Sequence, residues 1–507
     1  PSFGPSGQLA YVVQDDMGSH LAIDGKIVSG KENVFPFRIS WDGAGGYFYV
    51  SDGKIRRGGA KATSTIDFAA TLEVVKPRYK RAKRDWDSTA PRKALGIVHP
   101  RISPDGSRIA FVALGDLYVV SFKGGVPENL TKDAALDADP AWSPDGQSIV
   151  FSSDRVGGLP QLWIKDLKTG TDRQLTKLDT QPLGAAWSPD GTRVAFIDVD
   201  GRWGVAGVCI VDVATGKVTR LQTSLGQPGS PSWSSDGKYV AISLSYKFSN
   251  SFREGTNPAD GVGKPFWQIP QANMSLDTRS GSGPAWSPDG TKMAGIYEGL
   301  LKVWPVDKAA KPLGPVRSQT NDTAFYPTWT ADSNIVLYQS NDTLKTINLA
   351  TGVTADVPID LKYHLAKPTG RTVVHVSHLI DSVTDATQHD KDIIIDGNRI
   401  AQIRDHDPAL HEGGTFIDGT GLTAMPGLIE YHSHVQKDFG SNLEKAWLAY
   451  GITTVRDPGT QVYDAVEDRE AAEAGVRPSP RLYVGGPLLE WQRVYYKMGV
   501  AVSGPAH

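Results

Sequence analysis

Trp142-Ser143-Pro144-Asp145-Gly146 is the stretch on which the fold of this chain turns, because the same phrase keeps returning. It reads Ile102-Ser103-Pro104-Asp105-Gly106 before it and Trp187-Ser188-Pro189-Asp190-Gly191 after it. It comes back as Trp233-Ser234-Ser235-Asp236-Gly237 and Trp286-Ser287-Pro288-Asp289-Gly290, with a degenerate copy at Trp329-Thr330-Ala331-Asp332-Ser333. Weaker copies are Phe3-Gly4-Pro5-Ser6-Gly7 and Trp41-Asp42-Gly43. From Asp105 onward the Asp-to-Asp steps are 40, 45, 46, 53 and 43 residues. That period is one four-stranded propeller blade.

The phrase is a hairpin turn: Pro presets φ, Asp bonds its own backbone, and Gly takes positive φ. Short β-branched runs follow it, at residues 148–152 and 194–198, then a second run such as Leu162-Trp163-Ile164. Turns such as Lys168-Thr169-Gly170 and Ala214-Thr215-Gly216 close the copies. One blade cannot bury its own faces, so a Trp at a fixed place is read as core packed against the next blade. Eight copies predict seven or eight blades. Period and wording, with Leu130-Thr131 and Leu175-Thr176 near repeat ends, resemble the TolB-like β-propeller. The resemblance covers residues 1 to about 358, within a propeller domain drawn at 1–362, and implies a binding or gating module.

Composition sets the outer bounds. A chain of 507 residues exceeds one core, so two or three domains are expected. Its 53 Lys and Arg stand against 56 Asp and Glu, a net charge of -3 that gives no pull toward nucleic acid or anionic membrane. No apolar run approaches the ~18 residues of a membrane span. The lone Cys209, inside Val208-Cys209-Ile210-Val211, reads as a buried thiol with no disulfide partner. A start at Pro1 without Met suggests a removed leader or tag, and TolB-like propellers are often exported, so a periplasmic location is expected. Lys76 to Asp87, with six cations, reads as a solvated loop or a basic docking patch. Phe248 to Gln268 reads as an extended rim loop.

Past Tyr363 the repeat stops. Thr372-Val373-Val374-His375-Val376 and residues 392–403, with an Asp-Gly-type turn at Asp396-Gly397, read as strands of a small β-sandwich over 363–427. Met425-Pro426-Gly427-Leu428-Ile429-Glu430-Tyr431-His432-Ser433-His434 follows. Were residues 428–435 a strand, His432 and His434 would share one face with Glu430 below, which is half of a transition-metal site. A bare His-x-His arises often by chance; the Pro-Gly-Leu-Ile-Glu lead-in raises its weight. Residues 442–450 read as a helix, 451–459 as a second strand and its exit loop, 462–474 as a second helix, and 481–487 as a third strand. The expected fold class is thus a multidomain chain: an all-β propeller, a small sandwich, and the first three units of a (β/α)₈ barrel over 428–507.

This stretch resembles the amidohydrolase superfamily, in which a sandwich precedes a (β/α)₈ barrel and the first barrel strand carries His-x-His after Pro-Gly-Leu-Ile-Asp. Glu430 stands where Asp is usual. Gly451-Ile452-Thr453-Thr454-Val455-Arg456-Asp457 is similar to the imidazolonepropionase-like and Xaa-Pro dipeptidase-like members. The resemblance implies His432 and His434 as metal ligands, with Glu430, Arg456 and Asp457 around them. A helix cap or a salt bridge to Arg456 accounts for Asp457 as well. His364, His375, His378, His389, His406 and His411 read as surface or sandwich residues, and His20 and His99 as parts of the propeller.

The implied chemistry is hydrolysis of C–N bonds in small amides, lactams or short peptides by a metal-bound hydroxide, with two Zn²⁺ per complete site and the propeller screening access by size. In that family a carboxylated Lys, two further His and a general-base Asp come from later strands, and none of those positions falls in these residues. Catalysis by this chain alone is therefore not expected, and a second polypeptide is expected to complete the barrel; the reading leaves a homo-oligomer open. Two alternatives belong to other classes. One is a non-catalytic propeller scaffold. The other, a propeller-gated serine peptidase, lacks a Gly-x-Ser-x-Gly elbow.

Overall fold

A computed structural model of the chain describes residues 1–16, 18–60, 62–74, 85–200, 206–225, 229–245, 252–258, 266–268, 283–297, 299–435, 439–491 and 499–502. They divide into two units, Pro1–Trp86 and Asp87–His507. The first holds two antiparallel four-stranded sheets, beginning at Ser2–Phe3 and Ser40–Trp41, around Ala10, Leu21, Val34, Ile39, Tyr47 and Tyr49.

The second unit contains six antiparallel four-stranded sheets, whose first strands are Val98–Ile102, Asp137–Trp142, Gln181–Trp187, Ser232–Trp233, Ala285–Trp286 and Phe325–Trp329. Each first strand touches the next in order, and Phe325–Trp329 touches Val98–Ile102 in turn, so the six blades close a ring. The seven or eight blades expected are therefore six. The weak copies at Phe3 and Trp41 each begin a sheet, as the turn phrase dictates, but the ring closes without them. Closure depends on packing between blades, which the repeat period does not encode.

Local chemistry builds each blade. Ser143 Oγ donates to Asp145 Oδ1 at 2.6 Å, the Gln147 amide donates to the same oxygen at 3.0 Å, and Gly146 sits at φ 67°. In the first blade the Ser103 hydroxyl, with the hydroxyl and amide of Ser107, holds Asp105 down at about 2. In the degenerate copy Ser333 takes the glycine position at φ 58°. The indole N–H groups of Trp142, Trp187, Trp233 and Trp329 donate to the carbonyls of Arg101, Ala141, Ala186 and Ala285, at 3.0, 3.2, 2.9 and 2.8 Å. Each joins its blade to the preceding one, not the next. Cys209 is buried between the third blade's strands, and burial pushes its thiol up to about 12.

One expectation needs correction here. Phe252–Pro258 and Phe266–Gln268, expected in a rim loop, are the outer strands of the fourth blade. Their composition carries no β pattern, and pairing with Tyr239–Ser245 imposes the strand. The basic run is described only from Asp85; its cations from Lys76 to Arg84 lie outside the described residues.

After the ring, Arg399–Asp405, Gln388–Asp396, Arg371–Leu379 and Thr415–Ala424 form one mixed sheet in that order. The expected sandwich is a single layer among the described residues, because every strand of the stretch pairs within that sheet. Leu428–Glu430, Ile452–Asp457 and Arg481–Val484 then form an open parallel sheet, joined by helices α1 (Asn442–Ala449) and α2 (Val462–Glu473).

Helix α2 is polar yet mostly buried, and its burial is what ties this module to the ring. The Tyr463 ring meets Phe325 edge-on at 5.2 Å. Asp464 accepts the Tyr326 hydroxyl at 2.6 Å and lies 3.2 Å from His99 Nε2, so one carboxylate spans the first and last blades. Glu467 accepts the Gly115 amide. Glu470 accepts the amides of Leu95 and Gly96 at 3.0 Å, and Glu473 accepts the Tyr363 hydroxyl at 2.7 Å. At the start of α1, Asp154 of the second blade accepts the Ser441 amide at 2.8 Å and its hydroxyl at 2.6 Å.

Burial drives Glu470 up from 4.5 to about 7 against the pull of those two amides. The folded protein thus keeps a proton that the unfolded chain releases, and stability falls as pH rises from 4.5 through about 7. For His99, burial is outweighed by Asp139 and Asp464, so its charged form persists above 6.5 and that contribution is also lost on going upward. Urea unfolding from pH 4.5 to 8 is expected to show a declining midpoint, and Glu470→Gln is expected to flatten the acid half of the decline. A midpoint that rises across this window would contradict the docking described.

Candidate functional site

The first parallel strand ends at Glu430, so His432 and His434 lie in the segment beyond it and strand alternation does not place them. Other contacts bring them together. Glu430 Oε1 accepts the His432 amide at 2.9 Å, turning the chain at the strand's C-terminal end. Asp457, 1% exposed at the end of the second strand, accepts the amides of Val435 at 3.0 Å and Gly459 at 2.9 Å. Its Oδ1 lies 3.2 Å from His434 Nδ1. The two imidazole rings stand 5.8 Å apart at 89°, His432 exposed and His434 half-buried.

Asp457 is thus neither a helix cap nor a partner of Arg456. Gln461 occupies the N-cap position of α2, and the Arg456 guanidinium lies 5.2 Å over the Tyr431 ring. A carboxylate on Nδ1 leaves Nε2 as the donor of His434, the arrangement found behind metal-bound imidazoles. Two imidazoles are still short of the three or four ligands that zinc takes. Among the described residues no third His, Cys, Asp or Glu joins them at ligand spacing.

A second place of interest is the ring's central channel, which sequence reasoning did not single out. Three residues before each blade's Trp, or Ile102 in the first blade, come His99, Asp139, Gly184, Ser230, Gly283 and Tyr326, most of them followed by Pro. His99, Asp139 and Tyr326 adopt φ of 55°, 52° and 52°, at bulges where the inner strands slip register. Left-handed non-glycine backbone costs about 1 kcal/mol or more at each such residue. Here it turns the side chains inward: His99 Nδ1 pairs with Asp139, and the His99 and Tyr326 rings lie 4.7 Å apart. The recurring X-Pro-x-Trp spelling was the available signal.

Toward the turn end the channel opens into a cavity of about 430 Å³ touched by all six blades. Its wall includes Arg101, Trp142, Trp187, Trp233, Trp286 and Trp329, with prolines and serines between the indoles.

The repeats match the family model described as the TolB beta propeller domain over residues 92–202. The chain carries a TolB-like β-propeller domain. It is 30% identical over 128 residues to the Tol-Pal system protein TolB of Desulfosudis oleivorans, 24% of this chain and 29% of that protein. It is 34% identical over 137 residues to TolB of Bordetella pertussis, 17% of this chain and 31% of that protein. The chain thus spans under a third of the length of these relatives. A solved Xaa-Pro dipeptidase with bound methionine in its active site is 25% identical over 24% of this chain and 34% of its own, with a TM-score of 0.22.

Replacing Asp457 by Ala strips three partners from a buried position and leaves two amides unpaired. The expected loss is about 3 kcal/mol in urea unfolding, with Asp457→Asn costing roughly half. Unchanged midpoints in both variants would show that the loop carrying His434 does not depend on this carboxylate.

Proposed function

We propose that the six-bladed ring is a binding module whose occupant enters the cavity at the tryptophan end of the channel. One observation carries this reading: a cavity of about 430 Å³ is lined by residues from every blade. Indole and proline surface favours apolar side chains, serine hydroxyls add hydrogen-bonding groups, and Arg101 is the cation in the wall. A short peptide segment with an aromatic or aliphatic anchor fits that chemistry. The likeness to TolB proteins of the Tol-Pal system supports a periplasmic or otherwise exported location.

Ala331 lies exposed at the cavity mouth, so Ala331→Trp narrows it without entering a blade core. Titrating short hydrophobic peptides against the intrinsic indole fluorescence is expected to give a saturable change that Ala331→Trp weakens at least about tenfold. Equal binding by both proteins would place the peptide elsewhere and sink the proposal.

A second reading rests on a separate observation, the His432 and His434 imidazoles at the C-terminal end of a parallel strand with Asp457 behind one of them. In it the chain contributes to a metal-dependent hydrolase of C–N bonds in small amides, lactams or short peptides, as the resemblance to amidohydrolases implies. Zinc, when bound, supplies Lewis acidity and acidifies water. His432 and His434 would hold it, Asp457 would keep the proton of His434 on Nδ1, and Glu430 would fix the backbone at His432. Further ligands have to come from beyond this pair. Once the segment that completes the barrel is supplied, hydrolysis of dipeptides is expected to vanish with a chelator and to return on zinc addition, and His432→Ala with His434→Ala is expected to block the return. Activity indifferent to chelator and zinc would remove this reading.

A further inference from the structure

The mixed sheet after the ring gathers a second set of metal-ligating groups. His375 lies on Arg371–Leu379, Asp390 and Asp392 on the paired strand Gln388–Asp396, and His406 just past Arg399–Asp405. His411 ends the short 3-10 turn Pro408–His411. The His375 and His406 rings are 4.0 Å apart, and those of His406 and His411 are 5.3 Å apart.

Asp392 sits behind the imidazoles and is wholly buried. Its Oδ1 faces Nδ1 of His375 at 3.2 Å and Nδ1 of His406 at 3.0 Å, while Oδ2 accepts the Asp407 amide at 2.9 Å. A carboxylate so placed fixes both protons on Nδ1 and leaves both Nε2 atoms as lone-pair donors. Asp390, exposed and at φ 51°, brings its Oδ1 to 3.7 Å from His375 Nε2. One donor atom each from His375, Asp390 and His406 lie within 4.8 Å of one another, as do those of Asp392, His406 and His411. Donors around tetrahedral zinc stand about 3.3 Å apart, so side-chain rotations alone close the first set.

Hydrogen bonding to Asp392 accounts for one nitrogen of His375 and one of His406. It does not account for His411, whose Nε2 is buried without a hydrogen-bond partner while its ring stacks on Phe416 at 3.6 Å. Nor does it explain a left-handed Asp390 held beside His375. We propose that this cluster binds a divalent transition metal of the zinc class, with His375, His406 and Asp390 as ligands and Asp392 as the carboxylate that orients two of them. His411 is the next donor in reach of His406. The ion ties three strands and the following turn together, and the site is independent of both functional readings above.

The test uses the full chain carrying His432→Ala and His434→Ala, so that the other histidine pair contributes nothing. Zinc chloride alone is added, and retained metal is measured after equilibrium dialysis. Retention of roughly one equivalent and a raised melting temperature are expected. Asp390→Asn, at an exposed position that the fold does not need, and His406→Gln are each expected to weaken retention about tenfold or more while leaving the far-UV spectrum unchanged. No retained zinc, or retention equal in the parent and both variants, overturns the proposal.

Discussion

The charge of His99 is held between two carboxylates from different parts of the chain, and the arrangement of the second unit depends on that contact. Asp139 comes from the second blade and Asp464 from helix α2, with Tyr326 of the sixth blade bonded to the same Asp464. Burying an imidazolium costs several kcal/mol, and only close paired charges with further hydrogen bonds offset it. The contact lies at the seam where the last blade meets the first. Both of those blades are built from consecutive strands, so no strand from one end of the ring completes a blade at the other. A two-stranded ribbon, Arg92–Lys93 against Lys362–Tyr363, ties the chain's entrance to its exit, and α2 lies across both ribbon and seam.

This accounts for a helix that is polar in sequence and buried in fact. Tyr463 and the alanines Ala465 and Ala471 pack, while Asp464, Glu467 and Glu470 are buried as hydrogen-bond acceptors. Their partners are mostly backbone amides at the ring's edge, groups that would otherwise be hidden without a bond. Arg477, fully buried beside Glu444 and Asp468, balances part of the acidic charge, and those carboxylates hold its guanidinium charged against the pull of burial. The α/β module is therefore positioned by electrostatics and amide capping more than by an apolar face.

Position links the two candidate sites as well. His99, Tyr326 and Asp464 meet where the first and last blades join, and all six blades line the indole-walled cavity. Helix α2 joins the second and third parallel strands, and the second strand ends in the Asp457 that backs His434. Asp464 of that contact therefore stands only seven positions along the chain from the carboxylate behind the histidine pair.

The recurrent turn, its period and its Trp made a propeller legible from sequence, because φ limits at Pro and Gly and the Asx bond at Asp act within five residues. The approximate spans of α1, α2 and the second and third parallel strands were legible from local pattern, whereas the first strand stops at Glu430, short of the residues 428–435 read for it. Tertiary structure alone decided that eight copies give a ring of six, since closure is a matter of angles between blades. It decided that Phe252–Pro258 is a strand, by pairing, and that a polar helix is buried, by amides from residues more than three hundred positions away. It also gathered His375, Asp390, Asp392, His406 and His411. Spacing along one strand sets His375 and His378 apart, whereas adjacent strands and a turn bring the five together. Sequence fixes what each residue offers; which groups share a few ångströms depends on how distant segments pack.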